Sequence, residues 1–190
     1  MPQPGCIDSE TKFLAVPTRE YDPQHPPGSG VLRSGKRLAI DVGSVRIGIA
    51  SCDPAGVLAT PLTTVKRGNG DLDQIARLCA EREVIEVVVG LPTSLSGQAG
   101  KAADQARAFA TELAALIAPV AVRLVDERFT TTLAHSALRE GGMDSRQRRG
   151  TVDRAAAAFL LQNALDAERR TGGPAGELVG ATSAGSGGGR

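Results

Sequence analysis

The apolar positions change their period several times between residues 37 and 170, and each change marks a new element. Leu38-Ala39-Ile40 and Ile47-Gly48-Ile49-Ala50 are short apolar runs separated by Gly43-Ser44, the pattern of two strands joined by a hairpin. Val57 to Val65 predicts a third strand. Pro61 has no N–H to donate and confines that strand to an edge or a bulge. From Asp71 the spacing turns helical, with Leu72, Ile75, Ala76 and Cys79 along one stripe. Val84-Ile85-Glu86-Val87-Val88-Val89 is a nearly unbroken apolar run, the mark of a strand covered on both faces, and it stops at Gly90-Leu91-Pro92. Ala106, Phe109, Ala110, Leu113, Leu116 and Ile117 outline a long helix that ends before Pro119. Val120 to Val125 predicts another strand, running into Asp126-Glu127. A shorter helix over residues 130–140, stopped by Gly141-Gly142, and a last helix from near Thr151 to Arg170 complete the series.

A three-strand meander followed by alternating helices and strands predicts an α/β domain: a mixed five-stranded sheet with helices on both faces. The flanks differ in kind. Residues 1–36 hold six of the eleven prolines, and residues 171–190 hold eight of the 23 glycines. Segments of that composition bury too little apolar surface to offset their ordering entropy. The expected organisation is a flexible tail over 1–36, one domain over 37–170 and a disordered glycine-rich tail over 171–190.

Composition narrows the function classes. Apolar residues make up 41% and charged residues 23%, ordinary for a soluble globular protein. Aromatics are only 3%, so Ala, Val, Leu and Ile must build the core, and single-strand binding on aromatic stacking platforms is disfavoured. A formal net charge of +1 gives no global basic signature, so binding a polyanion needs a local patch and a metal ion. Cys6, Cys52 and Cys79 lack metal-ligand spacing and read as ordinary thiols in a reducing compartment, although an odd count leaves an intermolecular disulfide open. No segment looks like a signal peptide or approaches the roughly 20 apolar residues of a bilayer span. The expected location is the cytoplasm, without membrane contact.

Three acids stand in unusual places. Asp41 follows Leu38-Ala39-Ile40 at the end of a strand, where a carboxylate is costly unless paired, hydrogen-bonded or metal-bound. A turn residue before glycine is the plainer explanation. Glu127 follows Val122-Arg123-Leu124-Val125 at the carboxyl end of a strand, where open α/β sheets place ligands. Its alternative role is to start a helix and complement the dipole. Asp153 heads a stripe of Ala156, Ala157, Leu160, Leu161 and Ala164, which points it at the sheet. A first-turn acid behind a Thr151 cap would explain it equally simply. Together the three can converge. An all-oxygen set suits Mg²⁺ or Mn²⁺, and paired ions of that kind activate water and stabilise the leaving oxygen in phosphodiester hydrolysis.

Four segments then match one family in order. Asp41-Val42-Gly43-Ser44-Val45-Arg46-Ile47-Gly48-Ile49-Ala50 resembles the opening motif of the YqgF family, and Val89-Gly90-Leu91-Pro92 its second. Asp126-Glu127-Arg128-Phe129-Thr130-Thr131 resembles the third motif. Val152-Asp153-Arg154-Ala155-Ala156-Ala157 with Leu160-Leu161-Gln162 resembles the fourth. The family consists of Holliday-junction-resolvase-like nucleases implicated in maturing the ends of pre-16S ribosomal RNA. The resemblance implies a ribonuclease-H-like fold, divalent-metal phosphodiester cleavage and a catalytic, metal-binding set of Asp41, Glu127 and Asp153. Two departures stand out. Ser96 occupies a loop position where an acid is usual, and Arg148 and Arg149 lie near a position where lysine is common.

Arg146, Arg148, Arg149 and Arg154 surround Asp153 and suit bidentate phosphate contact, against the alternative of a solvated turn. Arg46 and Arg128 flank the other two acids, and Lys101 opens the long helix after a glycine loop, a plausible anion position. His135 reads as a packed or solvent-facing residue. Precursor ribosomal RNA is the expected substrate and branched DNA in recombination the alternative, with a homodimer implied by related resolvases. An actin-like ATPase would also start on Asp-x-Gly, but the chain shows no second such loop. A catalytically silent binding module would have no use for clustered carboxylates that repel phosphate.

Overall fold

The computed structural model describes residues 32–92, 100–126 and 145–180, and the side chains of 145–151 lie outside that description. The meander is β1 (Arg37–Val42), β2 (Arg46–Cys52) and β3 (Ala59–Lys66), each antiparallel to the next. Pro61 sits on β3 at the sheet edge, beside a register shift between Ile49 and Ala50, so both outcomes expected of a strand proline occur together. Then come α1 (Asp71–Arg82), β4 (Glu86–Leu91), α2 (Lys101–Ile117) and β5 (Ala121–Asp126). Strands β4 and β5 run parallel to β1.

A long helix, α3 (Ser145–Thr171), follows, and a two-residue strand, β6 (Glu177–Leu178), pairs antiparallel with β5. The order β3-β2-β1-β4-β5-β6 is the expected ribonuclease-H-like mixed sheet with one short edge strand added. Helix α3 starts six residues before the expected Thr151, so Thr151 lies inside the helix. The added turns, Ser-Arg-Gln-Arg-Arg-Gly, carry no apolar stripe, and arginine and glutamine are good helix formers that a hydrophobic period cannot reveal. The helix expected over 130–140 lies outside the described residues.

Side-chain alternation sorts the sheet into two faces. Leu38 and Ile40, Ile47 and Ile49, Val87 and Val89, and Val122 and Leu124 pack with Ile75, Cys79, Phe109, Ala110 and Leu113 of α1 and α2. Ala39, Cys52 and Val88 instead meet Leu160, Leu161, Ala164 and Leu165 of α3. Small residues on that second face let α3 lie close, and Ala50 packs against Ala157 and Ala158. Cys52 and Cys79 are buried free thiols. No helix of the described residues is long and apolar enough to cross a membrane.

The amino ends of β1 and β4 are tied to the carboxyl half of α3 by buried charge. Arg37, Glu86 and Glu168 are 1%, 2% and 3% exposed. Arg37 donates to both carboxylate oxygens of Glu168 at 3.1 and 3.2 Å. Arg33 bridges Glu168 at 2.8 Å and Glu86 at 2.9 Å, while Arg123 of β5 reaches Glu86 at 3.0 Å. Although burial opposes its charge, hydrogen bonds from Arg33 and the nearby Arg37 hold Glu168 below the ordinary carboxylate range. Arg33 and Leu32 pack ahead of β1, and β6 pairs with β5 after α3.

Candidate active site

Opposite that ion cluster, the carboxyl ends of the parallel strands β1, β4 and β5 lie together at one end of the sheet. Asp41 lies next to last in β1. Its neighbours Leu38 and Ile40 face α1 and α2, and Ala39 faces α3, so alternation turns Asp41 toward α3. The chain then reverses tightly: a Cβ added to Gly43 would lie 2.5 Å from the Arg46 carbonyl oxygen.

The cross-strand partner of Asp41 is Gly48. A Cβ at Gly48 would stand 2.1 Å from the Asp153 carbonyl oxygen and 2.4 Å from its carbonyl carbon, so the backbone of α3 rests directly on this glycine. That approach sets Asp153 beside Asp41. Burial first, and then the charge of Asp153, push the Asp41 carboxyl up from 3.8 to about 6. Asp153 is also raised by burial, against the opposing pull of Arg46 and Arg154. The stripe below it is sheet-facing as expected, with Ala157, Leu160, Leu161 and Ala164 all buried.

The predicted basic residues divide. Arg46 and Arg154 act electrostatically on Asp153 and belong to its surroundings. Lys101 is exposed at the start of α2, on the opposite face of the sheet. Arg148 and Arg149 are on α3, with side chains outside the described set. Glu127, Arg128 and His135 lie outside the described residues. Among the described residues no group of three or more His, Cys, Asp or Glu forms a metal cluster; two carboxylates, Asp41 and Asp153, lie close enough for the charge of Asp153 to act on Asp41.

Two partly buried acids that repel each other are a poor arrangement for an apo surface and a good one for a hard cation. Their oxygens match the preference of Mg²⁺ or Mn²⁺, whose charge would favour the ionised form that burial disfavours. The residues present fit such an ion. Gly48, although part of the opening motif, carried no role in the sequence reading, and it is where the backbone of α3 meets the sheet. A glycine inside a strand marks a place where another backbone comes close, and that signal was present in the sequence.

The chain resembles known proteins over most of its length. The family described as "RuvX: Holliday junction resolvase" matches residues 35–167. A protein of Thermobifida fusca named "Putative pre-16S rRNA nuclease" is 56% identical over 155 residues, covering 78% of this chain and 98% of that protein. One of the same name from Mycobacteroides abscessus is 52% identical over 161 residues, covering 83% and 94%. The structure of Thermus thermophilus RuvC in complex with Holliday junction substrate overlaps 72% of this chain and 97% of its own, at 14% identity and a TM-score of 0.44.

Proposed function

Because the chain belongs to the RuvX family of Holliday junction resolvases, we propose that it is a divalent-metal-dependent endonuclease that trims pre-16S ribosomal RNA. The chain is a phosphodiester-cleaving nuclease of that family. Relatives at 49–56% identity bear the pre-16S rRNA nuclease name, which supports ribosomal RNA as the substrate. Asp41, Glu127 and Asp153 form the catalytic and metal-binding set in this reading. The observation that carries it is the neighbouring Asp41–Asp153 pair, held together by the seating of α3 on Gly48. Glu127 directly follows β5, whose carboxyl end lies at the same end of the sheet as that of β1.

A bound Mg²⁺ or Mn²⁺ would supply Lewis-acid activation of water and of the leaving oxygen. Asp41 and Asp153 would hold it, each giving up the proton that burial encourages it to keep. Arg46 and Arg154, beside Asp153, offset part of the local negative charge and are suited to a substrate phosphate. Arg148, Arg149, Arg128 and Lys101 are further candidates for backbone contact. The expected partner is nucleic acid and the expected location the cytoplasm, with a homodimer the assembly suggested by related resolvases.

The experiment is cleavage of a 5′-labelled pre-16S rRNA fragment and of a four-way DNA junction, in Mg²⁺, Mn²⁺ or EDTA, by wild type and Asp41→Asn. Metal-dependent RNA cleavage that the variant loses supports the proposal. Cleavage of the junction alone would assign the chain to recombination instead. Equal activity of wild type and Asp41→Asn would overturn the carboxylate mechanism.

A further inference from the structure

The charged residues that end β3 point in opposite directions. Val65 pairs with Ile47 and is buried in the core under α1 and α2. Arg67, just beyond the strand, turns the same way: it pairs with Asp71 at 3.2 Å and lies 4.7 Å above the Phe109 ring. Lys66 stands between them, and alternation sends it to the α3 face, where it is exposed.

On that face Lys66 is directly opposite Arg46, and the next pair on the same face is Thr64 opposite Gly48. Gly48 is in turn opposite Asp41. The two cations therefore form one cross-strand row beside the carboxylate row, two residues or about 7 Å further along the strands. Side chains in such a directly opposed pair leave the backbone about 5 Å apart, and like charges there repel. Arg46 is offset by Asp153. Among the described residues Lys66 makes no salt bridge, and it sits on the edge strand, with no further strand paired to the outer side. A repelling pair next to a phosphodiester-cutting centre is relieved by an anion bridging the two.

We propose that Lys66 and Arg46 form a phosphate subsite for the nucleotide flanking the scissile bond, so that the substrate backbone leaves the carboxylates across the β2–β3 edge. This rests on the nuclease reading above and adds the path of the strand. Lys66 contributes binding rather than chemistry. Its loss acts on ground state and transition state alike, raising KM with little change in kcat.

The test compares wild type with Lys66→Gln, Lys66→Arg and a control, Arg77→Gln, which removes an exposed charge from α1. The probe is a single-stranded 5′-labelled pre-16S rRNA fragment, followed by cleavage kinetics and by binding across a salt series. Lys66→Gln is expected to raise KM several-fold, leave kcat within about twofold, and flatten the log–log salt dependence by about 0.7, one phosphate contact to a single strand. Lys66→Arg should restore both, and Arg77→Gln should match wild type. An unchanged KM and salt slope in Lys66→Gln, with wild type active, overturns the subsite alone. An equal change in Arg77→Gln also overturns it, since bulk charge would then be the cause. A wild type that neither binds nor cleaves overturns the nuclease reading beneath it.

Discussion

Replacing Gly48 by alanine adds one methyl group at the point where α3 touches the sheet. The new Cβ would lie 2.1 Å from the Asp153 carbonyl oxygen, where ordinary contact begins at 3.4 Å. The Cβ is fixed rigidly to its own backbone and the oxygen it meets is a backbone atom, so no flexible side chain can absorb the conflict. The helix must retreat by about 1.3 Å, taking Asp153 away from Asp41. A displacement of about 1 Å in a catalytic group costs on the order of 10²-fold in rate, because the reacting geometry is lost. Overpacking costs a further 1–3 kcal/mol or so of stability. Single-turnover cleavage of a pre-16S rRNA fragment in Mg²⁺, at a temperature where thermal melts show both proteins folded, separates the two effects. Gly48→Ala should cleave about 100-fold more slowly and need more Mg²⁺ for half-maximal rate. A folded Gly48→Ala within about twofold of wild type in rate and Mg²⁺ requirement would refute the argument that this contact positions Asp153.

Other perturbations have equally definite signs. In EDTA, Asp41 keeps its proton to about pH 6 in the folded state but loses it near 3.8 when unfolded. Folding stability should therefore fall as pH rises through that window, by up to about 3 kcal/mol. Asp41→Asn should recover most of that at pH 7.5 in urea melts and differ little from wild type below pH 3.8. Glu168 has the opposite sign: its stabilisation is full above pH 4.5 and is lost as acid protonates the folded protein. Glu168→Gln should cost about 3–5 kcal/mol at neutral pH, since it leaves buried Arg37 without the charged carboxylate to which its Nη2 donates. Phe109→Ala should cost about 3–5 kcal/mol in the same melts by opening a cavity under Arg67.

Strong periodicity carried most of the fold. The β-branched run at 84–89, the alternation around Ile40 and Ile49, and the stripe at 106–117 all name a buried face, and each became the element it predicted. The start of α3 was hidden because its first turns are polar, and helix propensity leaves no apolar period behind. Strand β6 is two residues long with exposed side chains, too short to show alternation, and it exists because the edge of β5 accepts it. The buried Arg37–Glu86–Glu168 cluster was equally silent: Glu86 sits in an apolar strand and Glu168 in a charged helix end, and only the fold joins residues 131 apart. At the site, Asp41 and Asp153 were legible as acids where burial was expected. Their convergence was expected, but the contact that produces it was not, since it depends on a missing side chain at Gly48 rather than on anything either acid displays.

In the proposed mechanism Asp41 and Asp153 together hold the metal at which a phosphodiester is cut. That role is tested most directly by Mg²⁺-dependent single-turnover cleavage of a pre-16S rRNA fragment by purified Asp153→Asn, with folding checked by its melt in EDTA. The expected result is a folded protein whose cleavage falls by at least about 10²-fold at every Mg²⁺ concentration. A folded Asp153→Asn that cleaves at the wild-type rate with the wild-type Mg²⁺ dependence would contradict it.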